Sequence, residues 1–313
     1  MKAATSLCRS LDKEQLRCAC RYRDKSLNDY VKPSYLTEYN DGKEYSPSFN
    51  IAPTDITPVL VSARNFLKDS DAGQRILKPM MWGIIPPWHK GDYKSHKLTT
   101  NNCRIENIRY SKLYSPILNN GGRCVIVAEG FYEWQTTIKT KIKQPYYIYM
   151  KQDFTQPVDD NCQPTSCHTT ENVWENKRLL YMAGLYNVWQ DSENKNIYSY
   201  SVITLESNDV MSWLHDRMPA ILECEQQIES WLDVDNVPAE KALSHLLPAK
   251  NLEWHPVSTI VNNSKYKSSD CNKKIDLESK VKSSQKPLTE WFKKANKRKS
   301  EHDIDHDSVK RKL

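Results

Sequence analysis

Short apolar and aromatic segments, each cut off by polar turn residues, recur along most of this chain. Val59–Val61, Leu77–Ile85, Cys124–Ala128 (CVIVA), Pro145–Met150 (PYYIYM), Leu179–Tyr186 (LLYMAGLY), Tyr198–Thr204 (YSYSVIT) and Trp254–Val257 all have this character. Their length and their β-branched and aromatic content suit strands rather than helices. Helical signals are confined to residues 10–22, with Ser10 or Asp12 as N-cap, and to Glu225–Leu232 and Ala239–Leu247. Many short strands with few helices predict an α+β domain on an antiparallel, barrel-like sheet with flanking helices.

Two stretches fall outside that pattern. Residues 152–177 are rich in Asp, Asn, Gln, Thr and Pro and read as a polar insertion on a hairpin. Beyond Ser264 the chain turns to Lys, Ser and Asp, so residues 1–264 are expected to be the folded domain and 265–313 a disordered basic tail. The low hydrophobic share of 38% fits such appendages, while 17 Tyr and 9 Trp require a folded body.

Charge is divided along the same line. Residues 265–313 hold fifteen Lys and Arg against eight Asp and Glu, a net of +7, which leaves −1 for everything before. A nucleic-acid surface on the domain must therefore be a local patch, whereas the tail is a polycation. No apolar run is long enough for a membrane helix, and the N-terminal residues lack the apolar core of a secretory signal. Nine cysteines in no regular spacing read as free thiols. The nearest approach to a metal cluster, Cys162, Cys167 and His168, lacks ordinary ligand spacing, and no cofactor is expected.

Four segments carry polar residues that a pure core would not select. Thr99–Arg104 contains Asn102, Cys103 and Arg104. Glu129–Trp134 follows the CVIVA strand and sets Glu133 between two aromatics, where desolvation suits general acid–base work. His215-Asp216-Arg217-Met218-Pro219 offers an imidazole and a guanidinium two residues apart. Pro86-Pro87-Trp88 holds an indole on stiff backbone, as a stacking or wedging residue would be displayed. Taken singly, each also has a structural reading: a strand-edge Glu, a capping His, a core Trp.

The order of NCR, GFYEW, HDRMPA and HPVSTIVNNS (His255–Ser264) resembles the SOS-response-associated peptidase family. CACRYRD (Cys18–Asp24) and KPMMWGIIPPW (Lys78–Trp88) extend the resemblance over about Leu11 to Ser264. It implies one compact α+β domain that binds abasic sites in single-stranded DNA. There an N-terminal cysteine forms an imine with the ring-opened sugar and closes it to a thiazolidine. The resemblance gives Asn102 the orienting role, Glu133 proton transfer, and His215 sugar-ring opening and cross-link reversal. It makes Arg104 and Arg217 phosphate contacts and Trp88 the base-stacking residue.

The chain departs from that pattern at its start. It reads Met1-Lys2-Ala3-Ala4, and the first cysteine is Cys8, whose nitrogen is an amide. The alternative is a non-catalytic module that reads single-stranded DNA or a modified base such as 5-hydroxymethylcytosine. Met80-Met81 also stands before Trp82, where relatives often carry a basic residue, so one phosphate contact is expected to be missing.

In the tail, Gln285, Leu288, Trp291 and Phe292 fit the motif by which short helices dock on a PCNA-type sliding clamp. One helical turn brings the three apolar residues to one face. Basic clusters at Lys293–Lys299 and Lys310–Lys312 resemble nuclear import signals. The expectation is a monomeric nuclear protein of replication forks, with single-stranded DNA and the clamp as partners and no membrane association.

Overall fold

The computed structural model describes residues 6–24, 26–37, 43–68, 70, 73–136, 143–152 and 177–277. Clamp-motif residues Gln285, Leu288, Trp291 and Phe292, most of the 152–177 insertion and Cys162, Cys167 and His168 lie outside them. Among the described residues are fifteen strands and five α-helices, numbered in chain order. No helix there is long and apolar enough to cross a membrane.

Five strands close on themselves. β6 (Ile56–Ser62) pairs antiparallel with β7 (Arg75–Trp82) and with β9 (Arg123–Ala128). β9 pairs with β12 (Leu180–Gln190), and β12 with β13 (Asn196–Glu206), both antiparallel. β13 then returns to β7 in parallel, Ser199 opposite Met81 and Tyr200 opposite Trp82, which completes a barrel. Every residue of β6, β7 and β9 is buried, which explains why these strands read as apolar runs rather than alternating patterns. The barrel is tight enough that a Cβ on Gly184 would lie 2.3 Å from Ile126 Cδ1 and 2.8 Å from the Ser201 carbonyl. The strand expected over Leu77–Ile85 stops at Trp82, because Gly83 adopts φ +116° and Pro86-Pro87 cannot continue a ladder.

A second, wholly antiparallel sheet runs in the order β15 (Leu252–Pro256), β11 (Pro145–Met150), β10 (Gly130–Trp134), β1 (Ser6–Arg9), β5 (Ser48–Ile51). One residue, Glu129, separates β9 from β10 and carries the chain from barrel to sheet. Its N–H donates to Cys8 O at 2.9 Å, and its Oε2 accepts from Ser10 N and Oγ at 2.6 Å each.

The remaining elements are short. α1 (Lys13–Ala19) is narrower than the expected 10–22, with Asp12 as N-cap and a reciprocal bond from Gln15. β2 (Tyr22–Asp24) and β3 (Asp29–Val31) form a hairpin, and β4 (Ser34–Tyr35) joins β7 in parallel. β8 (Asn102–Arg104), also parallel, and β14 (Arg217–Pro219), antiparallel, both lie along the C-terminal half of β13. α2 (Ile105–Ile108), α3 (Tyr114–Asn119), α4 (Glu225–Leu232) and α5 (Ala239–Ser244) complete the list. α4 covers β9 through Trp231, whose indole donates to Cys124 O at 2.9 Å.

The compact body runs to Lys274 rather than Ser264, with Ile275–Leu313 as a separate unit. The polar composition after Ser264 hides the reason. Asn50 Nδ2 lies 3.0–3.1 Å from the carbonyls of Val261, Asn263 and Tyr266. Lys267 bonds Asn50 O at 2.6 Å and Asp55 at 2.7 Å, and Cys271 is fully buried.

Candidate functional site

Glu133 sits near the end of β10 with 2% of its surface exposed. Its cross-strand partner is Tyr146 on β11, so both side chains stand on one face of the sheet. Ser6, the first described residue, pairs with Tyr132 on the strand's other flank, one position from Glu133.

Two contacts bring the HDRMP stretch to the same place. Thr136 N donates to Leu214 O at 2.9 Å, and the Tyr146 ring meets Trp213 edge-on at 5.0 Å. Both precede His215 by one or two residues. His215 is fully buried. Its Nδ1 accepts the Arg217 N–H at 2.9 Å and lies 2.9 Å from Asp216 Oδ1. A backbone N–H has nothing else to give, so Nδ1 is the acceptor and the neutral ring carries its proton on Nε2. Nε2 is buried without a hydrogen-bond partner among the described residues. Burial, partly opposed by Asp216, holds the imidazole below its ordinary range. A buried donor with no protein acceptor costs stability and is the kind of group a ligand satisfies.

The depressed His215 pKa has a consequence for stability. The unfolded chain binds this proton near pH 6.5, the folded chain only at lower pH, so stability is full above that value and falls as the solution is acidified towards the folded pKa. His215→Gln is expected to flatten the fall in the urea midpoint between pH 7 and 5. An unchanged slope would contradict a neutral buried ring.

Asn102 comes from the barrel side. β8 lies parallel to β13 with Asn102 opposite Val202, and its position is fixed from the preceding residue. Asn101 O accepts from Trp82 Nε1 at 2.9 Å and Val202 N at 3.0 Å. The His215 carbonyl is held by Ser207 Oγ at 2.7 Å. Val202 and Ser207 are five residues apart on one segment, about 17 Å by strand rise. Contacts of Leu214 and Trp213 thus bring His215 to the Glu133 strand, and β13 links Asn102 to the same region.

The two arginines differ. Arg104 is exposed. Arg217 is not free as the expected phosphate contact requires: its guanidinium bonds both Glu106 carboxylate oxygens at 2.7 and 3.0 Å and Thr204 O at 2.6 Å. Partial burial, the largest single influence, raises the Glu106 pKa, but the Arg217 bond, a backbone bond and the charges of Arg217 and Arg104 together hold this carboxyl below its usual range. In this arrangement Arg217 pins β14 to α2. Trp88 is 54% exposed and shares an open groove with Lys90, Val188, Trp189 and Asn196. Asn196 is six residues, about 20 Å, along β13 from Val202, the residue opposite Asn102.

Cys8 cannot replace an N-terminal nucleophile. It is fully buried within β1 between Tyr132 and Tyr147, and burial, then the Glu129 charge, push its thiol far above the ordinary range. Among the described residues, no group of three or more His, Cys, Asp or Glu side chains is arranged to hold a metal ion. Sequence reading missed Tyr146, Trp213 and Trp254 beside the site, because aromatics in strand-like segments look like core.

A family profile described as SOS response associated peptidase (SRAP) matches residues 16–264. The chain is 38% identical over 302 residues to the Abasic site processing protein HMCES of Xenopus tropicalis, covering 94% of this chain and 87% of the relative. The Rattus norvegicus protein of the same name is 38% identical over 287 residues, with 90% and 80% covered. The Abasic site processing protein YoaM of Bacillus subtilis is 29% identical over 248 residues, with 78% and 92% covered. Among solved structures, a Bordetella bronchiseptica protein aligns with TM-score 0.56 at 17% identity, covering 82% of this chain and 99% of that one. A Bacteroides thetaiotaomicron protein aligns with TM-score 0.55 at 20% identity, covering 73% and 86%. These two likenesses concern the fold alone.

Proposed function

The chain belongs to the SOS-response-associated peptidase family, and on that premise we propose that it processes abasic sites in single-stranded DNA. The observation that carries this reading is the buried His215 Nε2–H, unpartnered among the described residues, beside the strand that holds the enclosed Glu133 carboxyl. A sugar oxygen is a fitting acceptor for that donor, and a carboxyl at hand serves the proton transfers of carbonyl chemistry.

The ring-opened sugar presents an aldehyde at C1′. His215 Nε2–H bonds its oxygen and polarises the carbonyl. An amine on the segment preceding Ser6, where Lys2 holds one, attacks C1′. Glu133 carries one proton from the attacking nitrogen to the carbonyl oxygen, giving a carbinolamine, then a second from the same nitrogen to that hydroxyl, which leaves as water, and a C=N bond stands. Asn102 orients the amine or the sugar. In the family's chemistry a thiol next to the amine then closes a ring; the buried Cys8 has neither the free amine nor the access to do so. An amine without such a thiol beside it, as at Lys2, stops at a reversible imine, which shields the lesion while it lasts.

Arg104 and Trp88 are the phosphate and stacking contacts in this reading. Gln285, Leu288, Trp291 and Phe292 dock on the sliding clamp, and the protein acts as a monomer at nuclear replication forks. A peptide of residues 280–300 is expected to bind the clamp at micromolar concentration; no binding at high micromolar concentration removes that partner.

The burial of Cys8 also favours a second reading, a module that binds the lesion without bonding to it. Intact-mass measurement separates the two. After incubation with single-stranded DNA bearing an abasic site, an adduct is expected with cyanoborohydride and little without it. DNA binding with no adduct under reduction supports the non-catalytic module.

A further inference from the structure

Beyond Glu133 the same face of the second sheet continues as an aromatic wall that no catalytic step uses. Tyr146, the cross-strand partner of Glu133, meets Trp213 at 5.0 Å, and Trp213 meets Trp254 at 5.3 Å and 43°. Trp254 lies on β15, the edge strand, opposite Ile148 and therefore on the face of Tyr146. It is 39% exposed, and Tyr146 and Trp213 are half-buried. The Trp213 indole N–H is bonded to Val210 O at 2.9 Å, so the ring's orientation is fixed in advance. At the site end of the wall, Lys143 is exposed, and its charge is felt at His215.

We propose that Tyr146, Trp213 and Trp254 form a stacking track for the bases of the single strand that leaves the site, with Lys143 on a phosphate. The inference rests on the abasic-site reading and adds a second set of base contacts to the one at Trp88. Three features select single-stranded nucleic acid as the occupant. The wall is continuous with Glu133, it pairs aromatic faces with a cation, and its rings are pre-oriented, as sequence-tolerant base stacking requires. A lesion that has lost its base cannot stack, so affinity has to come from its neighbours.

The test uses the full chain and a labelled single-stranded oligonucleotide carrying a tetrahydrofuran abasic analogue, which binds without forming an imine. Anisotropy titrations at several salt concentrations compare wild type with W254A, W254F, W254L, W213A and K143A. W254A and W213A are expected to bind about 5- to 100-fold more weakly at every salt concentration, with an unchanged salt slope. W254F keeps most of the affinity. W254L, apolar but without a π face, loses it as W254A does, so a purely packing role is distinguished even where the alanine variant is destabilised. K143A lowers the salt slope by about 0.7. Wild-type affinity in W254L and W213A overturns the track and leaves the abasic-site reading intact. Failure of the wild type to bind the analogue overturns both.

Discussion

Glu133→Gln is expected to slow formation of the trapped abasic-site adduct about 100- to 10,000-fold while binding of the tetrahydrofuran analogue stays within a few fold of wild type. The size follows from what general acid–base catalysis contributes. Glutamine keeps the volume and hydrogen-bonding reach of the side chain but cannot take a proton from the attacking amine or return it to the leaving hydroxyl. Only 2% of Glu133 is exposed, so bulk water has little room to take over that transfer. The split between chemistry and binding is the informative part. A structural Glu133 would weaken both together, and a module that only binds would show no change because there would be no adduct to slow. Time courses of cyanoborohydride-trapped product on denaturing gels give the rate. A variant within about threefold of wild type contradicts the proton-shuttle role.

Trp82→Ala is expected to remove about 3–5 kcal/mol of stability, the usual cost of emptying a buried Trp site. Trp82 is fully buried and stacks on Tyr200 with centroids 6.4 Å apart and planes 1° apart, at the seam where β7 meets β13. Its indole also donates to Asn101 O, next to Asn102. Against a total of about 5–15 kcal/mol for a natural domain, such a loss is a large share. Trp82→Phe keeps most of the packing, loses the indole bond and is expected to cost clearly less. Urea midpoints at fixed slope measure both. Equal costs would show that the hydrogen bond to Asn101, not the ring, holds the seam.

Much of the barrel was legible because its strands are buried on both faces and so read as bare apolar runs, as CVIVA does in β9. In the second sheet, PYYIYM matches β11 to the residue. The missed strands were those whose polar atoms are satisfied at long range. Ser6 bonds Asn50 and the Ile51 carbonyl across the sheet, which lets a polar Ser-Leu-Cys-Arg segment run between β10 and β5. β8 is three residues long and owes its extended form entirely to β13, so NCR was visible as a motif and not as a strand.

The candidate site was legible in part and for a similar reason. Glu133 was singled out by its aromatic flanks, and it is enclosed as expected. The roles of Arg104 and Arg217 could not be separated in sequence, since nothing near Arg217 reveals Glu106, more than a hundred residues earlier, as its bidentate partner. The same distance hid the end of the body, because the residues that retain Tyr266 and Lys267 are Asn50 and Asp55.

The parallel seam between β7 and β13 also sets a timetable for the ribosome. Met81 and Ser199, which face each other there, are separated by roughly 120 residues of chain. At about 5–20 residues per second, the first side of the seam waits on the order of ten seconds for the other. During that interval β6 and β7 can zip as a hairpin, but β7 offers a bare ladder edge in the nascent protein. Chaperone attendance, or aggregation in its absence, should concentrate in that window, and a ribosome stalled before Asn196 should hold a protease-sensitive, unclosed half-barrel.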